Sequence, residues 1–148
     1  MSPDPQRPPP AETTYATADA PDGSALHVSV LSAALTVADL ATSLAWYRDV
    51  LGLTVARTFE RAGTMFATSL RAGAVPLLLT QDDGAKGADR VKGVGISLML
   101  TTGQDVDVLA ATVTRRGGVL ESPPFDGPGG RAFRLRDPDG FRLVIAAG

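Results

Sequence analysis

Ser32-Ala33-Ala34-Leu35-Thr36-Val37 and Ser97-Leu98-Met99-Leu100-Thr101-Thr102 stand 65 residues apart and carry one pattern. Both place aliphatic residues at alternate positions through most of their length, the period of a strand with one buried face. The same shift, without gaps, sets Leu44-Ala45 on Leu109-Ala110, Gly52 on Gly117, and Ala67 on Ala132. It also sets Leu70-Arg71 on Leu135-Arg136 and Leu78 on Leu143. Self-similarity at a fixed period means a duplicated structural unit.

Each half predicts strand, helix, strand, strand, strand. In the first, Val28 to Val37 alternates, and Asp39 caps a helix that runs to about Leu51 and stops at Gly52. Leu40, Leu44, Tyr47 and Leu51 form its apolar stripe. Strands follow near Leu53 to Glu60, Thr64 to Leu70 and Val75 to Gln81. The second half gives a strand over Gly95 to Thr101 and a helix from about Asp105 to Arg116, stopped by Gly117-Gly118. Short strands are expected near Val119 to Glu121, Arg131 to Arg136 and Phe141 to Ala146.

Such a unit cannot cover both sheet faces alone, so two must pair edge to edge, in one chain or across a dimer. The expected class is α+β: two tandem βαβββ modules forming a concave mixed sheet with the helices outside. Module 1 spans about 28–81, the linker 82–92 and module 2 about 93–147, within one domain over 27–148. Residues 1–26 read as a disordered Pro-rich tail, with Pro3, Pro5, Pro8, Pro9 and Pro10 blocking regular structure. A partner-binding use of that segment lacks a PxxP with basic flanks.

Composition narrows the function classes. The 148 residues are 44% apolar and 20% charged, as in ordinary globular domains. With no apolar run of about 18 residues, no membrane partner is expected. Net charge is -2 with Lys and Arg scattered, so no nucleic-acid partner is expected either. The opening residues show no basic-then-apolar leader pattern, which makes the cytoplasm the expected location. The absence of Cys rules out disulfides and thiolate metal sites.

Two stretches resemble a known family. Leu35-Thr36-Val37-Ala38-Asp39-Leu40 with Trp46-Tyr47-Arg48-Asp49-Val50-Leu51-Gly52-Leu53 is similar to the first-module signature of the vicinal-oxygen-chelate superfamily, which includes glyoxalases, bleomycin-resistance proteins and dioxygenases. Asp137-Pro138-Asp139-Gly140-Phe141 resembles the motif before that family's last strand. The resemblance covers roughly residues 28 to 147. The linker Gln81-Asp82-Asp83-Gly84-Ala85-Lys86-Gly87 is similar to that of small bacterial glyoxalase-like members. The resemblance implies the paired-module fold but no single function, since the family holds lyases, epimerases, dioxygenases and antibiotic-binding proteins.

Metal-using members bind a divalent ion from the first and last strands of each half. The resemblance places those ligands at Ser32, Leu79, Ser97 and Val144. Such an ion needs imidazole nitrogens or carboxylate oxygens, which Leu and Val lack and neutral Ser replaces poorly. The single histidine, His27, precedes Ser32 by five residues. No metal and no cofactor are therefore expected. Gly127-Pro128-Gly129-Gly130 is followed by no Lys-Ser/Thr, and Gly93-Val94-Gly95 is too short for a dinucleotide loop. No serine has a histidine base.

The cleft set by parity is Ser32, Ala34 and Thr36; Gly95, Ser97, Met99 and Thr101; Leu77, Leu79 and Gln81; and Arg142, Val144 and Ala146. Ala33, Leu35, Val37, Leu78, Leu98, Leu100, Leu143 and Ile145 would face the helices, with Leu31 and Ile96 in the same parity. A mostly apolar cleft with a few polar groups suits a small-molecule ligand. The expected ligand-binding residues are Ser32, Ala34, Leu79, Gln81, Ser97, Met99, Phe125, Arg142 and Val144. The expected function is metal-independent binding, sequestering a mostly apolar ligand at a homodimer cleft as the family's antibiotic-resistance members do.

Two alternatives stand beside it. One is a metal-free isomerase or lyase on the same cleft, with Glu60, Asp82 or Asp83 as the titratable group and no catalytic residue assigned. The other is a scaffold or regulatory partner without a ligand. Asp137 and Asp139 read as turn formers, and Trp46 and Tyr47 as core. Arg131, Arg134 and Arg136 read as solvated edge arginines, with an anionic ligand as the alternative.

Overall fold

The computed structural model describes residues 26, 28–87 and 89–148, so His27 and nearly all of the expected tail lie outside the described residues. Ser32–Gly148 form one compact unit.

The capped helices form where the sequence puts them. Strand β1 (Ala33–Val37) leads into α1 (Leu40–Asp49), whose N-cap Asp39 accepts from Thr42 N at 3.0 Å. Then come β2 (Thr54–Arg61), β3 (Thr64–Ala72) and β4 (Val75–Gln81). The second module repeats the order with β5 (Ser97–Thr102) and α2 (Val106–Arg115), whose N-cap Asp105 accepts from Val108 N at 3.0 Å. It ends with β6 (Phe125–Gly127), β7 (Gly130–Arg136) and β8 (Arg142–Ala147).

The class is α+β, and the mixed sheet comes as two four-stranded sheets, β1-β4-β3-β2 and β5-β8-β7-β6. In each, the first strand runs parallel to the last and the rest are antiparallel. Two expected strands differ. β1 begins at Ala33 rather than Val28. The strand expected at Val119 to Glu121 is a single bridge, Leu120 to Leu135, and the pairing strand is Phe125–Gly127. Pro123 and Pro124 donate no hydrogen bonds, so a ladder restarts only after them.

One core serves both modules. Leu35, Val37, Tyr47, Leu70 and Leu79 cluster with Val106, Val113, Phe133, Leu135 and Leu143. The turn after α2 approaches α1 closely: a Cβ on Gly118 would stand 2.8 Å from Val50 Cγ1 and 2.5 Å from Val113 Cγ1. The last hairpin turn also crosses to the first module. Tyr47 OH donates to Asp137 Oδ2 at 2.8 Å, and Asp139 accepts from Ala38 N at 2.9 Å and Ser43 Oγ at 3.2 Å. Asp137 and Asp139 are thus more than turn formers.

Candidate functional site

Register decides which residues share a face. In the second sheet Met99 pairs with Val144 and Val144 with Arg134, so these three form one row across β5, β8 and β7. Ser97, Arg142 and Arg136 form the next row, and Thr101, Ala146, Ala132 and Phe125 the one beyond. The alternate residues Phe133, Leu135 and Leu143 are buried in the core. The face that carries the three rows is therefore the open one, and Met99 on it is 76% exposed.

Four of the expected residues, Ser97, Met99, Arg142 and Val144, stand together here, with Phe125 one row away. Ala34 lies on the open face of the first sheet, and Ser32 is exposed just before β1. Leu79 does not join them. It pairs with Leu35 and is fully buried in the core, and Leu77 beside it is buried too. Leu78, paired with Ala34, takes the open face instead.

The cause is one residue of turn length. β3 and β4 are joined with Arg71 opposite Pro76, whereas β7 and β8 have Arg136 opposite Arg142, one residue more. Leu78, not Leu79, is thus the counterpart of Val144, and a one-residue slip turns every side chain of a strand over.

Gln81 is also corrected. Its register partner is Val37, on the core side. Its Oε1 accepts from Leu40 N at 2.9 Å, and its Nε2 donates to Ala38 O at 2.7 Å and to Asp82 O at 3.0 Å. It braces the start of α1, where backbone N–H groups lack helical partners.

The polar chemistry of the open face centres on Glu121, a residue that no sequence pattern singles out. Arg142 donates to it through two nitrogens, Nε to Oε1 at 3.0 Å and Nη2 to Oε2 at 2.9 Å. Arg136 Nε stands 3.2 Å from Oε1. The Arg142 hydrogen bond, then the charges of Arg142, Arg136 and Arg134, hold the Glu121 carboxyl below the usual carboxylate range. The Glu121 N to Arg134 O bond at 2.8 Å and the neighbouring Leu120–Leu135 bridge, both beyond the reach of sequence spacing, align this residue with the arginines.

Arg131 separates from the other two strand arginines. It donates to Asp107 on α2, Nε to Oδ2 at 3.0 Å and Nη2 to Oδ1 at 2.9 Å. Arg134 instead lies over the Phe125 ring, 4.5 Å from its centroid. An open pocket of about 520 Å³ adjoins this face, between Val91–Ser97 on one side and Arg136, Asp139, Gly140 and Arg142 on the other. Gly93 is needed there: its φ is +74°, and a Cβ would meet Gly140 O at 2.7 Å.

The carboxylates expected to be available for acid–base work are engaged or remote in register. Asp82 accepts from Lys92 Nζ at 2.6 Å and Gly84 N at 2.9 Å, and the Lys92 bond lowers its pKa. Asp83 accepts from Ala85 N at 2.9 Å, as a turn residue does. Glu60 is exposed on β2, the outer strand of the other sheet.

The residues do not fit the divalent ion of metal-using relatives. Ser32, Ser97 and Val144 with either Leu78 or Leu79 offer no imidazole and no carboxylate. Among the described residues, no group of three or more His, Asp or Glu side chains converges on one point. No helix among them is long and apolar enough to cross a membrane.

Comparison with known proteins agrees with this architecture. A member of the glyoxalase/bleomycin resistance protein/dioxygenase superfamily from Sphaerobacter thermophilus superposes with a TM-score of 0.68 at 24% identity, covering 83% of this chain and 100% of its own. An integron cassette protein from the V. cholerae mobile metagenome gives 0.62 at 25% identity, covering 83% and 98%. Lactoylglutathione lyase from Agrobacterium tumefaciens gives 0.60 at 24%, covering 82% and 96%. No curated protein sequence matches the chain. The family model for the Glyoxalase/Bleomycin resistance protein/Dioxygenase superfamily matches residues 25–145, and this chain belongs to that superfamily.

Proposed function

We propose that the chain is a metal-independent small-molecule binding protein of the glyoxalase/bleomycin-resistance type, acting as a homodimer. The observation that carries this reading is the open face of the second sheet. There Ser97, Met99, Val144 and Arg142 stand in adjacent rows without being consumed by the core. Exposed apolar side chains beside a few oriented polar groups match the make-up of small-molecule sites. Burial of the ligand's apolar surface, worth about 25 cal/mol per Å² before the cost of association, would supply the affinity. The isomerase or lyase reading has less behind it, because Asp82 and Asp83 already hold local partners.

Native mass spectrometry of tag-free protein taken gently from its own host tests the proposal. The expected species is a dimer with an organic adduct and no metal, and Ser97→Trp, which fills the open face, loses the adduct. A stoichiometric metal adduct, or an organic adduct that Ser97→Trp leaves in place, overturns it.

A further inference from the structure

The rows of the open face are graded from apolar to cationic. Along the first, Met99 and Val144 are apolar and Arg134 ends the row on β7. Strands lie about 4.8 Å apart, so Met99 to Arg134 spans about 10 Å, the length of a two-ring aromatic molecule. Arg134, Arg136 and Arg142 share this face with one carboxylate, Glu121. With Asp139 on the lining of the adjoining pocket counted too, three guanidiniums face two carboxylates and leave one positive charge in excess. Among the described residues Arg134 makes no ion pair, and its exposed guanidinium rests on the Phe125 ring.

The first sheet repeats the device independently. Ala34 pairs with Leu78, Leu78 with Ser69, and Ser69 with Arg57, so another row runs from small and apolar residues to an arginine. Arg57 lies 4.8 Å from the centroid of the Phe59 ring. No ion pair of Arg57 occurs among the described residues either. An arginine held over a ring keeps its planar fork of donors directed at solvent, where it suits an acidic oxygen group.

We propose that the ligand is a small organic acid, its acidic group taken by Arg134 beside Arg136 and its apolar body lying over Val144 and Met99. The assignment rests on the reading of this face as a binding surface and adds the chemical class of the ligand. The bidentate hold of Arg142 on Glu121 shows how this face seats a carboxylate, and Arg134 is the guanidinium still open to a second one.

Two fluorescent probes of similar shape separate the two ideas: 8-anilinonaphthalene-1-sulfonate, an anion, and N-phenyl-1-naphthylamine, its neutral counterpart. Both are titrated into the tag-free full-length chain and into Arg134→Gln, whose fold is checked by circular dichroism. The anion should bind about ten-fold more tightly than the neutral probe, and Arg134→Gln should lose about that factor for the anion alone. Arg134→Lys should recover part of the loss, and Ser97→Trp should abolish binding of both probes. Equal affinities, or an Arg134→Gln variant that binds the anion unchanged, overturn the organic-acid assignment while leaving the apolar face standing. If neither probe binds, the binding reading of the face falls with it.

Discussion

Tyr47 and Asp137 show what single residues do in this chain. The Tyr47 hydroxyl is fully buried and donates to Asp137 Oδ2, while Asp137 Oδ1 accepts from Asp139 N and Phe141 N, both at 2.9 Å. Removing the acceptor by Asp137→Ala strands a buried hydroxyl and two turn N–H groups, a change expected to cost about 1–3 kcal/mol in urea unfolding. Asp137→Asn keeps an oxygen for the turn and offers an amide to the phenol. Burial raises the pKa of Asp137 above that of an unfolded aspartate, against the hydrogen bonds from Tyr47 and the turn. The stability linked to its protonated form is therefore complete below the unfolded value of about 4 and is lost as pH rises through the higher folded one. Asp137→Asn does not titrate, so its melting temperature should gain on wild type between pH 4 and pH 7. A difference that stays flat or runs the other way would show that burial does not dominate at this carboxyl.

Elements were largely legible, and their failures have identifiable causes. Asp39, Asp105, Gly52 and Gly117 mark the helix ends in the sequence because capping and left-handed stops require those residue types. Most strands of each module follow from period-2 patterning; the exceptions are β4, with its run of three leucines, and β6, which is only three residues long and lies between prolines and glycines. The open face was legible in the second module and misread at the end of the first. Leu77-Leu78-Leu79 has no alternation to fix its facing, so only the turn before it decides, and a gap-free alignment hides one residue of turn length. Gln81 could not be read from spacing because its partners, Leu40 N at the first residue of α1 and Ala38 O just before the helix, lie 41 and 43 residues away. The two leucines make the correction measurable. Leu79→Ala should cost about 2–5 kcal/mol as a buried truncation, and Leu78→Ala under about 1 kcal/mol. Equal losses on chemical denaturation would overturn the facing assigned to β4.

At the scale of the whole molecule, one core joins the modules while, among the described residues, β1 and β5 are each paired along one edge only, with β4 and β8. Among the described residues β1 and β5 do not pair with each other, so the edge-to-edge union expected of two modules is not made within this chain. Exposed strand edges are templates for pairing with another chain. In the proposed homodimer, a first module of one copy would sit beside a second module of the other. Light scattering on a sizing column should return twice the chain mass at micromolar concentration. A monomer across the accessible range would remove the dimer and leave each open face as a separate surface.

The bonds that Asp137 and Asp139 accept from Tyr47, Ser43 and Ala38 close loops of 90 to 101 residues. During synthesis the first module emerges long before the turn that completes it. Its tyrosine hydroxyl stays without its acceptor until β7 has been made and the β7–β8 turn has formed. Long-range contacts of this kind slow folding, because chain closure precedes the reward. The bonds that join the last turn to the first module therefore form only after nearly the whole second module is available. A ribosome stalled in the linker would hold a half-protein with an open core, a natural target for chaperones.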